Sequence, residues 1–90
     1  MTKEEIVTLV NQVFEEGFEI EPTRLVPAAR IFDELGLDSL DIVDLIVALQ
    51  KKFGVQIRED ERVRQIRTLE DIYQFILTLK QEQAQKRSAS

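Results

Sequence analysis

The sequence predicts an all-α fold: a small four-helix bundle with three main helices, one short third helix and a long first loop. Three observations carry this. Three stretches repeat apolar residues at three- and four-residue spacing, the period of a helix face. Each is entered by a Thr or Asp with an acid three residues on, a pairing that ties off the free N–H groups of a helix start. No stretch alternates apolar and polar residues long enough to pair as a sheet.

The first helix reads as TKEEIVTLVNQVFEE. Thr2 caps it with Glu5 as reciprocal partner, and Ile6, Leu9, Val10, Val13 and Phe14 form its apolar stripe. Glu4 and Glu5 suit the positive end of the dipole, and Gly17 is the expected stop. In the next stretch Pro22 and Pro27 break helical continuity. Ile20, Leu25, Val26, Ile31, Phe32, Leu35 and Leu37 nevertheless give it enough apolar groups to pin itself onto a core. A loop of roughly twenty residues is long for a small domain, and an ordered, Ω-like connection is expected. A helical turn over 30–35, closed by Gly36, falls within it.

The second helix spans about Ser39 to Phe53. Asp38 is its cap, Asp41 the reciprocal partner, Lys51 and Lys52 suit the negative end of the dipole, and Gly54 ends it. Val55 and Ile57 then suggest a brief extended piece, followed by a short helix around Glu59 to Gln65. The last helix is capped by Thr68 with Asp71 as partner. Leu69, Ile72, Ile76 and Leu79 make its stripe, with Phe75 beside it. EQAQKRSAS is polar and expected to fray, so residues 1–80 form the domain and 81–90 a disordered tail.

The composition removes whole classes of function. The chain has 90 residues, enough for one modest core. It has no Cys and no His, which excludes disulfides, thiolate nucleophiles, Cys/His zinc sites and imidazole acid–base chemistry. No catalytic residue and no metal site is expected, and an autonomous enzyme is not. The net charge of −5 argues against nucleic acid as a partner. Residues 1–44 hold eleven of the seventeen acids and three of the twelve bases, so the front half suits basic partners. No apolar run is long enough to insert in a membrane. No apolar leader opens the sequence, so a cytoplasmic location is the default, and a monomer is expected.

The second helix has more apolar surface than a plain bundle helix needs. Ile42, Leu45, Ile46, Leu49 and Phe53 make one coherent face. Leu40, Val43 and Val47 recur on a shifted face, interleaved with Asp41, Asp44 and Lys51. Either this helix is central and covered on most sides, or the second row is an acid-rimmed strip open to a partner. Both rows begin beside Ser39. That residue is either a plain helix-start serine or a site where a phosphate ester would meet free N–H groups and a favourable dipole. Asp38 and Asp41 would repel such a group unless they held a divalent cation during its attachment.

LGLDSLDIVDLIVALQKKFG, with its Asp38-Ser39-Leu40 motif, resembles the acyl carrier protein family. So do the leading helix, the loop ending in FDELGLDSL, and TLEDIYQFI. The resemblance implies a 4'-phosphopantetheine arm, moved from coenzyme A onto Ser39 by a phosphopantetheinyl transferase, whose thiol carries acyl groups as thioesters. Acyl-loading, elongating and acyl-transferring enzymes would then be the partners. It implies docking through Leu40, Val43 and Val47 with Asp38, Asp41 and Asp44 as the acidic contacts. It also implies shelter for an acyl chain among Phe32, Ile42, Leu45, Ile46, Leu49, Ile66 and Leu69. The alternatives are an aminoacyl or peptidyl carrier and an unmodified helical interaction module. Lys51, Lys52, Arg58, Arg62, Arg64 and Arg67 stand where general fatty-acid carriers are acidic, and the stretch after Ile57 is one residue longer. A specialised carrier for a dedicated lipid or polyketide pathway is the expectation.

Overall fold

The computed structural model describes residues 1–57 and 61–89, with side chains as far as Ala84. Arg58, Glu59, Asp60 and Ser90 lie outside the described residues. Three α-helices are present: α1 (Lys3–Phe18), α2 (Ser39–Phe53) and α3 (Leu69–Ala89). The all-α class holds. The expected fourth helix is a five-residue 3-10 segment at Glu61–Gln65, so the four-helix description reduces to three α-helices among the described residues. A segment of five residues keeps the tighter i to i+3 pattern suited to short pieces.

All three capping pairs form. Thr2 and Glu5 exchange bonds at 3.2 Å each way. Asp38 and Asp41 do so at 3.1 and 3.0 Å, and Thr68 and Asp71 at 3.1 and 3.3 Å. Each exchange spans three residues, so it is written into the local sequence. The end of α1 differs from expectation. Gly17 lies inside the helix, and Glu19 takes the left-handed cap position at φ 54°. Ile20 is buried, and continuing the helix through Phe18 lets the chain turn that side chain inward. A Cβ at Gly17 meets nothing within 4 Å. Gly17→Ala is therefore expected to raise unfolding free energy by about 0.5–1 kcal/mol in urea titrations.

α1 is the hub. It packs on both α2 and α3, with Ile6, Val10 and Phe14 fully buried. The Tyr73 hydroxyl of α3 donates to Asn11 Oδ1 of α1 at 2.6 Å. Burial pushes that phenol above its usual range, although the Asn11 bond opposes the shift.

The long loop is ordered by most of its apolar groups, but Val26 and Phe32, expected to help pin it, are 49% and 46% exposed. Ile20, Leu25, Ala29, Ile31, Leu35 and Leu37 are buried. A short 3-10 turn at Pro22–Arg24 lies within it. The 30–35 turn forms through bonds to the Arg30 carbonyl and is closed by Gly36 at φ 74°. The loop also serves α3. The Leu69 and Glu70 N–H groups donate to the Ala29 and Pro27 carbonyls at 3.1 and 2.9 Å, and Ile31 N–H donates to Arg67 O at 2.9 Å. Free donors of the α3 start are thus met by backbone from forty residues away.

α3 runs to Ala89, beyond the boundary expected at residue 80. Gln, Glu, Ala, Lys and Arg are good helix formers, so polarity there does not end the helix. The extension makes contacts. Gln83 donates to Gly54 O at 2.8 Å and Lys80 to Phe53 O at 3.2 Å, serving the end of α2. Arg62 holds Glu82 through two bonds of 3.0 Å and lies 5.5 Å over the Phe75 ring.

Two exposed carboxyls are tuned. Hydrogen bonds from Thr2 hold Glu5 below its ordinary 4.5, and the Lys3 ammonium, then the Gln74 amide, do so for Glu70. The unfolded chain therefore takes up protons where the folded chain does not. This contribution is present above the unfolded value and is lost as pH falls from about 4.5 through the lower folded values. The urea midpoint should fall over that window, and Glu70→Gln should shrink the slope. A slope identical in the variant would remove Glu70 from the explanation.

Candidate functional site

Ser39 is the first residue of α2 and is exposed to solvent. Asp38 Oδ1 accepts the N–H groups of both Leu40 and Asp41 at 3.0 Å, and Asp41 Oδ2 accepts from Asp38 N–H at 3.1 Å. The capping work belongs to Asp38 and Asp41. Ser39 has no hydrogen bond from its hydroxyl among the described residues, nor an acceptor for its N–H. A plain capping role for Ser39 is excluded by this division. An exposed hydroxyl beside a free backbone donor, at the positive end of a helix dipole, suits a phosphodiester.

What delivers Ser39 is the loop. Its 29–31 segment is bonded to the start of α3, and Leu37 N–H donates to Ile31 O at 3.2 Å. Leu35 and Leu37 are buried immediately before the site. The serine therefore stands on a braced support instead of a loose linker.

The two apolar rows of α2 separate cleanly. Leu45, Leu49 and Phe53 are buried, whereas Leu40, Val43 and Val47 are 75%, 58% and 39% exposed. α2 is not the central helix; α1 is, and the second row stands exposed among the described residues. Asp44 is exposed beside it, and Asp41 is half-buried by its capping bond. Leu40, Val43, Asp44 and Val47 thus share one accessible region, with half-buried Asp41 on its flank.

Ile42 and Ile46 belong to the inner face yet are only half-buried. They open onto a cavity of about 190 Å³. α2 and α3 both pack on α1, and the cavity lies between them. Phe32, Ile42, Leu45, Ile46, Leu49 and Ile66 line it. Leu69 does not; it is fully buried in the core at the first turn of α3, where the loop backbone covers it. Ile57, Val63, Arg64, Ile72 and Phe75 line the cavity without having been expected there. The α3 periodicity already pointed Ile72 inward, and the Val55–Ile57 alternation marked Ile57. Val63 and Arg64 carried no such signal. Apolar cavities of about 150 Å³ take a benzene-sized ligand, so this one has room for part of an alkyl chain.

Among the described residues no group of three or more acidic side chains could hold a metal ion, and no helix is long and apolar enough to cross a membrane.

A family model described as a phosphopantetheine attachment site matches residues 5–76. The chain is 39% identical over 79 residues to acyl carrier protein 2 of Ralstonia nicotianae, covering 88% of this chain and 96% of that one. It is 37% identical over 76 residues to the acyl carrier protein of Thermosynechococcus vestitus, covering 84% and 93%. It is 35% identical over 82 residues to the meromycolate extension acyl carrier protein of Mycobacterium tuberculosis, covering 91% and 70%. An exposed helix-start serine relieved of capping, a braced loop before it and these likenesses agree: the chain belongs to the acyl carrier protein family, whose members are phosphopantetheine-bearing carriers and not catalysts.

Proposed function

We propose that Ser39 carries the 4'-phosphopantetheine arm, and that the chain delivers acyl groups between enzymes of fatty acid, lipid or polyketide biosynthesis. The observation that supports it most is the free, exposed Ser39 hydroxyl at the start of α2, with Asp38 holding the cap. Attachment forms one bond, from Ser39 Oγ to the phosphorus of coenzyme A that bears the pantetheine; the pyrophosphate P–O bond breaks, adenosine 3',5'-bisphosphate leaves with its electron pair, and the hydroxyl proton passes to a base of the transferase or to water. When bound, the arm supplies the terminal thiol that a Cys-free chain lacks. Asp38 and Asp41 are only two carboxylates. A divalent ion there would need further oxygens from the transferase and from coenzyme A phosphate, the usual manner of Mg²⁺. The test is intact-protein mass spectrometry after incubation with coenzyme A and a broad-specificity phosphopantetheinyl transferase. A gain of one arm's mass is expected; no gain with several transferases would sink the reading.

Docking through Leu40, Asp41, Val43, Asp44 and Val47 is part of the same proposal. Asp44 is the clean probe, because Asp41 also accepts the Asp38 N–H and its replacement would disturb the cap. Asp44→Lys is expected to slow arm transfer roughly 3- to 10-fold at low salt, with the gap closing at high salt. A rate unchanged across ionic strengths would remove Asp44 from the docking surface. The cavity between α2 and α3 is the proposed shelter for the proximal acyl chain, with Arg64 at its wall. The helical carrier domain comprises residues 1–80 together with the Glu82 and Gln83 contacts. The basic residues at Lys51, Lys52, Arg62, Arg64 and Arg67 favour a specialised carrier over one of general fatty acid synthesis.

A further inference from the structure

On an α-helix each residue turns about 100° and rises about 1.5 Å. By that geometry Leu40, Asp44, Val47 and Lys51 fall within about 60° of arc, in one line along α2. Leu40 and Val47 are exposed, as are Asp44 and Lys51, and Lys51 makes no ion pair or hydrogen bond among the described residues. The strip therefore does not end with its acids. It runs acid and apolar group, then apolar group, then a cation about 6 Å beyond Val47 and about 10 Å from Asp44. Lys52 follows on the flank that holds Asp41.

We propose, resting on the carrier reading, that Lys51 is a partner-selecting contact at the distal end of the docking strip. Its partner enzyme presents, in order, basic groups opposite Asp41 and Asp44, an apolar patch opposite Leu40, Val43 and Val47, and a carboxylate opposite Lys51. Charge order gives such a surface its specificity: a partner basic along its whole length meets Lys51 with like charge, a penalty that tells against that partner.

A second copy of the chain fits less well. Antiparallel α2 helices that pair Asp44 with Lys51 place their two-fold axis near Val47 and Ala48. Val43 then faces Lys52, and Leu40 runs past Gly54 at the helix end, so only Val47 finds an apolar partner. The apolar row is off-centre, which suits a different protein. Asp38, Asp41 and Asp44 likewise disfavour an anionic membrane.

The test compares wild type, Lys51→Glu and Lys51→Gln in two reactions. One is arm transfer by a broad-specificity phosphopantetheinyl transferase. The other is acylation of the holo chain by whichever acyl-loading enzyme of the native host acylates wild type fastest. Lys51→Glu is expected to lower kcat/KM for acylation at least 10-fold and Lys51→Gln about 3-fold, chiefly through KM and less so at high salt, while arm transfer stays within 2-fold. Reversing the facing carboxylate on the enzyme to Lys should restore most of the loss for Lys51→Glu. An acylation change below 2-fold, or an equal loss in both reactions, overturns the proposal. So does a dimer, seen by size-exclusion chromatography, that Lys51→Glu dissolves. A wild type that accepts no arm overturns the carrier reading and this proposal with it; an arm accepted without dependence on Lys51 overturns this proposal alone.

Discussion

Ser39→Ala is expected to gain no mass when incubated with coenzyme A and a transferase that converts the wild type completely. The loss should be total and not partial, because the substitution deletes the oxygen that forms the new bond to phosphorus. The fold should not suffer. The Ser39 hydroxyl makes no hydrogen bond among the described residues, and Asp38 supplies the cap to the Leu40 and Asp41 N–H groups. Alanine is also a better helix former than serine, so unfolding free energy should stay within about 0.5 kcal/mol of wild type. This separation is the strength of the experiment. A capping serine replaced by alanine loses about 1 kcal/mol, whereas a serine that bears a group loses its modification and nothing else. A mass gain that persists in Ser39→Ala would move the attachment to another hydroxyl. A stability loss near 1–2 kcal/mol would return Ser39 to a structural role.

The second large effect lies in the hub. Phe14→Ala is expected to cost about 3–5 kcal/mol in urea unfolding. Phe14 is fully buried in α1, its ring 5.9 Å from that of Phe18, in the helix that packs along both others. Removing it opens a void that neither α2 nor α3 can fill without leaving its other contacts. Small domains hold about 5–15 kcal/mol in all, so this single change removes at least about a fifth of the total and nearly all of it at the low end. Leu40→Ala is the control. Leu40 is 75% exposed, and its truncation should leave stability within about 0.5 kcal/mol while weakening transfer by docking enzymes. Two apolar residues of similar size, read identically by composition, thus separate into a fold determinant and a binding determinant. A Leu40→Ala loss above about 1.5 kcal/mol would mean that the strip is part of the core.

The three helix starts and the place of the serine were legible in the sequence. Thr2 with Glu5, Asp38 with Asp41, and Thr68 with Asp71 all meet as written, because each pair spans three residues and closes within one helical turn. The buried stripes of α1 and α3 followed from the same periodicity, except Tyr73, whose phenol is paid for by Asn11 on another helix. The loop's apolar residues told that it is packed, though not that its Ala29 and Pro27 carbonyls complete the start of α3.

What the sequence by itself determined is therefore local: where helices begin, which residue stands first on α2, and which chemistries a chain without Cys or His is denied. Tertiary structure alone decided the rest. It chose α1 over α2 as the hub and so left Leu40, Val43 and Val47 open. It put Leu69 in the core and Val63 and Arg64 on the cavity wall. It carried α3 past residue 80, where Gln83 joins Lys80 in serving the carbonyls at the end of α2. The reason is physical. A capping bond is made between near neighbours and is set by residue type and spacing, whereas burial depends on which distant segment arrives to cover a face.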